Sequence, residues 1–211
     1  MIESGRVRGV VLDLGGVVLR ICRTWEEGCR VAGVPVRPEA IERMTGDGVV
    51  DLVDRYQSGT LPFEGFAAAL AERSGGGYDR DEIERVHRAW ILGEYAGALE
   101  LVGGLRDAGV PTVALSNTCA MHWAQMPAFP AFAALEHRIG SHLVGSCKPR
   151  SAMYEAAEAV LPPGDGPIAF FDDTPPNVAA ARARGWHAVE IDPHDDPPAA
   201  VRRTLEALAG A

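Results

Sequence analysis

The sequence predicts an α/β fold: a doubly wound parallel sheet with a helical cap inserted after the first strand. Three observations lead there. Four short, nearly continuous apolar runs recur along the chain; helix-periodic segments rich in Ala and Leu accompany the last three; and a long stretch between the first two runs shows helical periodicity alone. At 211 residues the chain is somewhat longer than a usual single domain, which leaves room for a core and an insert.

The first run, "VRGVVLDL" (7 to 14), is β-branched and apolar on successive residues, which suits a strand covered on both faces. Then the alternation breaks. "TWEEGCRVAGV", "PEAIERMTG", "GVVDLVDRYQSG", "FEGFAAALAERSGGG" and "DEIERVHRAWILGEY" all carry helical spacing, and the insert from Arg20 to Ala96 is expected to contain no strand. Its "SGGG" (74 to 77) reads as an interhelical loop, because no strand precedes it. Beyond it, strands are expected at "PTVALS" (111 to 116), "GPIAFF" (166 to 171) and "WHAVEI" (186 to 191). Helices are expected at 97 to 109, 150 to 161, 175 to 185 and 197 to 210, with Pro opening two of them and Gly following several ends. The division is therefore a core of residues 1–19 and 97–211 and a cap of residues 20–96.

Composition narrows the function classes. The net charge of −9 and the lack of a basic block argue against a nucleic-acid partner. No apolar stretch approaches the roughly 20 residues that span a bilayer, and "MIESGRVRGV" lacks the order of a signal peptide, so a cytoplasmic protein without a membrane partner is expected. Cys22, Cys29, Cys119 and Cys147 show no metal or disulfide spacing and read as reduced, buried thiols. Nothing in the sequence assigns an oligomeric state.

Open parallel sheets bind ligands beyond the carboxyl ends of their strands. Here those ends carry Asp13, the trio Ser116, Asn117 and Thr118, and the pair Asp172 and Asp173; Lys148 lies in a turn before a helix. Singly, each reads equally well as a cap, a turn residue or a solvated lysine. Together, in this order, they make a site. A carboxylate is ionised at neutral pH by its ordinary pKa of about 3.9, so Asp13 is expected to need no base to act as a nucleophile. Its difficulty is repulsion from an anionic substrate, about 4 kcal/mol for two unit charges at about 4 Å and an effective dielectric near 20. Mg²⁺ on Asp13, Asp172 and Asp173, with Lys148 beside them, would relieve it, while Ser116 and the Asn117 N–H hold phosphate oxygens.

"VVLDLGGVV", "VALSNT", "GSCKPRSAMYEAA" and "AFFDDTPPNVAAARARG" resemble motifs I to IV of the haloacid dehalogenase-like (HAD) hydrolase superfamily, and the resemblance covers essentially the whole chain. It implies a Rossmann-like core and an Mg²⁺-dependent phosphatase acting on a small phosphorylated metabolite. Asp13 becomes the nucleophile that forms an aspartyl-phosphate, Ser116 the phosphate ligand and Lys148 the catalytic lysine. Asp173 becomes the direct Mg²⁺ ligand, with Asp172 in or near the inner shell and the Gly15 carbonyl completing the set. The insert would be the cap that selects substrates. Within the superfamily, "DLGGV", "RYQSGTLPFEGFAAAL", "LSNTCAMHW" and "FFDDTPPN" are most similar to the α-D-glucose-1-phosphate phosphatase group and the phosphatase domain of soluble epoxide hydrolase, which suggests a sugar phosphate.

One residue departs from that pattern. Phosphatases of the superfamily usually carry a second aspartate two positions after the nucleophile, as acid and base; here that position is Gly15. Easily departing anomeric, aryl or acyl phosphates would need that acid least. A catalytically weak or inactive phosphate-binding protein is the alternative, and a dehalogenase is disfavoured by "FFDD" and "DLGG". Asn177 stands where many relatives carry another acid. His122 and Trp123 read as packed helix surface, and Arg20 and Arg23 as solvated arginines.

Overall fold

A computed structural model describes residues 7–210; residues 1–6, on which the leader reading of "MIESGRVRGV" rests, lie outside the described residues. The strands are β1 (Gly9–Leu12), β2 (Leu19–Ile21), β3 (Ile91–Glu94), β4 (Thr112–Ser116), β5 (His137–Gly140), β6 (Ile168–Asp172) and β7 (His187–Glu190). The cap holds helices α1 (Trp25–Ala32), α2 (Pro38–Arg43), α3 (Asp47–Gln57), α4 (Phe63–Arg73) and α5 (Arg80–Arg88). The core holds α6 (Ala98–Asp107), α7 (Ala120–Trp123), α8 (Pro130–Ala134), α9 (Ser141–Val144), α10 (Ser151–Val160), α11 (Pro175–Ala183) and α12 (Pro197–Gly210). Among the described residues no helix is long and apolar enough to cross a membrane.

Five parallel strands form the main sheet in the order β5-β4-β1-β6-β7. The period-two alternation of β1 sends Val10 and Leu12 into a layer with α6, α8 and α12, and Val11 into the opposite layer with α10 and α11. Both faces are covered, which is why the strand reads as one unbroken apolar run. From β1 the chain builds outward on one side through β4 and β5, then returns to the other side for β6 and β7. The strand order reverses beside β1, and the crevice beyond its carboxyl end is the topological switch point.

The cap packs around a core of its own that includes Cys29, Phe66, Leu70, Tyr78, Ile83 and Val86. Its ends are set by local chemistry. The Thr24 side chain caps α1 by accepting from the Glu27 N–H, and Asp79 with Glu82 forms a reciprocal capping box at α5. The "SGGG" segment joins α4 to α5, as expected.

Two expectations are corrected. The insert is not wholly helical, for β2 and β3 pair antiparallel at its root, with Leu19 opposite Glu94 and Ile21 opposite Ile91. Helix α5 stops at Arg88, and the "WILGEY" that continued its periodicity turns into β3. β2 has three residues, too few for an alternation to stand out, and β3 directly follows a helix-periodic run that masks its four. The edge strand β5, "HRIG", was absent from the expected set because charged and polar residues fill an exposed edge position.

Candidate active site

Asp13 follows β1 directly. Its N–H donates to the Phe171 carbonyl at 2.9 Å, which ties the end of β1 to β6, and the Leu14 N–H donates to Asp13 Oδ1 at 2.7 Å. Across the switch point, β6 ends in Asp172, with Asp173 next. Asp13, Asp172 and Asp173 each present an oxygen within 4.8 Å of the others. The Lys148 ammonium, its side chain fully buried, lies 3.0 Å from Asp13 Oδ1 and 2.6 Å from Asp172 Oδ2.

The surroundings fix these groups. The Asn117 side chain donates to the Lys148 carbonyl at 2.9 Å and accepts from the Lys148 N–H at 2.7 Å, clamping the lysine loop to the end of β4. Asp172 accepts from Asn177 Nδ2 at 3.1 and 3.0 Å and from the Thr174 N–H at 2.8 Å, besides Lys148. Its two oxygens are thus engaged by protein donors, as a buried carboxylate requires. Asn177 is itself held by α10, the Tyr154 hydroxyl donating to its carbonyl at 2.9 Å. Ser116 and Asn117 lie at the rim of the same crevice.

Electrostatics here differ from the simple expectation. Burial pushes the Asp13 carboxyl up to about 7; Lys148 opposes this and the charges of Asp172 and Asp173 add to it. Asp13 is therefore not fully ionised by its ordinary pKa, because the sequence does not reveal how completely the strand end is buried. Burial also opposes the Lys148 charge, but Asp13 and Asp172 more than offset it and hold the ammonium above its ordinary value. Three carboxylates thus face one another with one ammonium between two of them. That donor set of hard oxygens with excess negative charge fits a divalent cation.

Arg23 is exposed, as read, but it is not unpaired: its Nη1 lies 2.5 Å from Asp173 Oδ2. The partners are far apart in the chain, so no local pattern signals the contact. Gly15 and Gly16, which follow Asp13 and Leu14, have separate reasons. Gly16 adopts φ +88°, and a Cβ there would collide with the Asp173 carboxylate and with Arg23. A Cβ on Gly15 would meet Ile21 Cδ1 at 2.8 Å, so the side chain from β2 occupies the space an acid would need. His122 is buried, as expected of a packed residue, and its Nε2 donates to the His87 carbonyl at 2.8 Å. All four cysteines are buried and unbonded.

The sequence model of the haloacid dehalogenase-like hydrolase family matches residues 7–185. No curated protein matches the chain. Among solved structures, a predicted HAD-like family hydrolase from Porphyromonas gingivalis superposes with a TM-score of 0.70 at 23% identity, covering 95% of this chain and 98% of that one. A HAD family enzyme from Bacteroides thetaiotaomicron, in complex with magnesium and inorganic phosphate, gives a TM-score of 0.71 at 21% identity over 90% and 96% of the two chains. The L-2-haloacid dehalogenase from Xanthobacter autotrophicus, with chloropropionic acid covalently bound, gives 0.62 at 18% identity over 87% and 77%. At these identities the likeness is one of fold.

Proposed function

The chain belongs to the haloacid dehalogenase-like hydrolase family, and on that premise we propose that it is an Mg²⁺-dependent phosphatase of small phosphate esters, acting through an aspartyl-phosphate at Asp13. One observation carries this reading over a dehalogenase: Asp172 and Asp173 stand beside Asp13 within 4.8 Å. A haloacid carries its own carboxylate, which that cluster would repel. A cation and a phosphate suit it.

The donors for the cation are the Asp13 and Asp173 carboxylates and the Gly15 carbonyl. Asp172 contributes mainly by holding Lys148, since its oxygens already accept from Lys148, Asn177 and Thr174. The bound cation would supply positive charge to the phosphate oxygens and favour the ionised form of Asp13. One Asp13 oxygen attacks phosphorus in line, the bond to the leaving oxygen breaks, and that oxygen departs with the electron pair. Lys148, Ser116 and the Asn117 N–H stabilise the charge on the transferring phosphoryl group. Water then attacks phosphorus, and inorganic phosphate leaves with the Asp13 carboxylate restored. No side chain at Gly15 protonates the leaving oxygen, so good leaving groups are favoured.

The test is phosphate release from a panel of acyl, aryl, anomeric and alkyl phosphates, with and without Mg²⁺, using Asp13→Asn as control. Release that needs both Mg²⁺ and Asp13 is expected. Release from no substrate above the Asp13→Asn background would instead favour a phosphate-binding protein, and halide release from 2-haloacids without metal would favour a dehalogenase.

A further inference from the structure

The polar crevice at Asp13 adjoins a larger chamber under the cap. The crevice, about 380 Å³, shares Gly15, Ile21, Gln57, Ser116 and Asn117 with a cavity of about 590 Å³, a size within the range of small-molecule sites. A ligand whose phosphate lies against Asp13 and Lys148 would send the rest of its body past Gly15 into that chamber.

The walls of the chamber are aliphatic and aromatic, with Ile41, Val49, Val53, Phe66, Leu70 and Trp90 among them. Among the described residues no Lys, Arg or Asp lines it, and Glu26 is its one carboxylate. His87 is neutral there, burial and the neighbouring His122 pushing it down to about 3. A sugar would bring several hydroxyls, each losing water and needing a partner, and this wall supplies few.

It supplies some. Thr24, Thr45 and Gln57 add polar side chains to the lining, whereas Trp25 Nε1, Tyr56 OH, His87 Nδ1 and Thr118 Oγ1, without a hydrogen-bond partner among the described residues, are closed off from it.

We propose, resting on the phosphatase reading above, that the substrate is a phosphate ester of an apolar phenol, whose aryl body and alkyl substituents fill the chamber, in place of a sugar phosphate. A phenolate leaves without a proton, which agrees with the glycine at position 15. The apolar body occupies the cap chamber, and the phosphate occupies the crevice.

The experiment has two arms. The first measures kcat/KM for 4-alkylphenyl phosphates, whose leaving phenols differ little in acidity as the chain grows, alongside glucose 1-phosphate and acetyl phosphate. Each added methylene should raise kcat/KM about fourfold until the chamber is filled, and 4-butylphenyl phosphate should exceed glucose 1-phosphate by more than about 50-fold. Val53→Phe, which takes up chamber volume, should shorten the longest chain accepted. The second arm measures calorimetric binding of alkylphosphonates, from methyl to hexyl, to the wild-type protein with Mg²⁺, where Kd should tighten by the same factor per methylene. Acetyl phosphate turnover with a flat aryl series overturns this proposal and leaves the phosphatase reading standing. No Mg²⁺- and Asp13-dependent turnover of any phosphate, with phosphonate affinity rising along the series, removes the phosphatase reading and keeps the apolar chamber as a ligand site. A flat phosphonate series overturns the chamber assignment whatever the turnover.

Discussion

Gly15→Asp would put a general acid where the superfamily usually has one. The backbone at Gly15 lies outside the left-handed region, so any residue can adopt it. What stands in the way is Ile21, whose Cδ1 would be 2.8 Å from the new Cβ. That atom is the tip of a half-buried side chain, and rotating it off its preferred well costs about 0.5–1.5 kcal/mol. The acid is worth about 10²–10⁴-fold, or roughly 3–5 kcal/mol, where the leaving oxygen needs a proton. The strain is carried by the free enzyme and the transition state alike and so lowers stability, while kcat/KM on simple alkyl phosphates should rise by the full contribution of the acid, about 10²–10⁴-fold. Aryl phosphates should gain much less. Adding Ile21→Ala removes the obstruction and relieves that strain. The assay is kcat/KM across phosphates of graded leaving-group acidity, and the dependence on leaving-group pKa should flatten. An unchanged dependence in both the single and the double variant would refute the reasoning that Gly15 is a missing acid.

Lys148→Met leaves Asp13 and Asp172 buried without their shared cation, and breaking such a pair costs about 3–5 kcal/mol; urea unfolding showing a loss below about 1 kcal/mol would contradict the geometry. Arg23→Gln frees Asp173 from its competing guanidinium, so calorimetry should find Mg²⁺ bound more tightly, and weaker binding would rule out competition. Glu158 accepts from Arg184 and Trp186, and these partners hold its carboxyl below the ordinary glutamate range. A depressed native pKa gives stability that is present above the unfolded pKa and lost as pH falls through the native one. Glu158→Gln should therefore cost about 1 kcal/mol at pH 7, discounted for partial exposure, and the gap to wild type in urea unfolding should close in acid. A gap that persists at pH 2 would exclude the ion pair as its source.

Legibility followed the range of each interaction. Asp13, Ser116 and the pair Asp172 and Asp173 each end or follow an apolar run, so a strand signal and a polar signal adjoin in the sequence. Lys148 was visible through its motif. Arg23 was not, since its partner lies 150 positions away. Nor was the chamber, because Tyr56, His87 and Thr118 come from α3, α5 and the segment after β4 and meet only when the cap folds down. The elevated pKa of Asp13 belongs with these, for it depends on burial that no local pattern encodes. The ribbon of β2 and β3 escaped for a different reason: β2 has only three residues, and the four of β3 directly continue a helix-periodic run.

That ribbon makes the insert interchangeable. Its entry and exit strands lie side by side, about 5 Å apart, so a chain of any length or architecture can be spliced between Ile21 and Ile91 without altering how it leaves or rejoins the sheet. A replacement has to shelter Cys119 and Met121, which pack into the cap's apolar core, and to meet the groups of the core that bond into the cap: His122 and Ser141, which donate to the His87 and Gln57 carbonyls, and Arg150, which pairs with Asp54. Asp13, Ser116, Lys148 and Asp173 all lie outside the exchanged segment. New specificities can be tried on this scaffold by transplantation at two fixed seams, while the groups at the strand ends stay where they are.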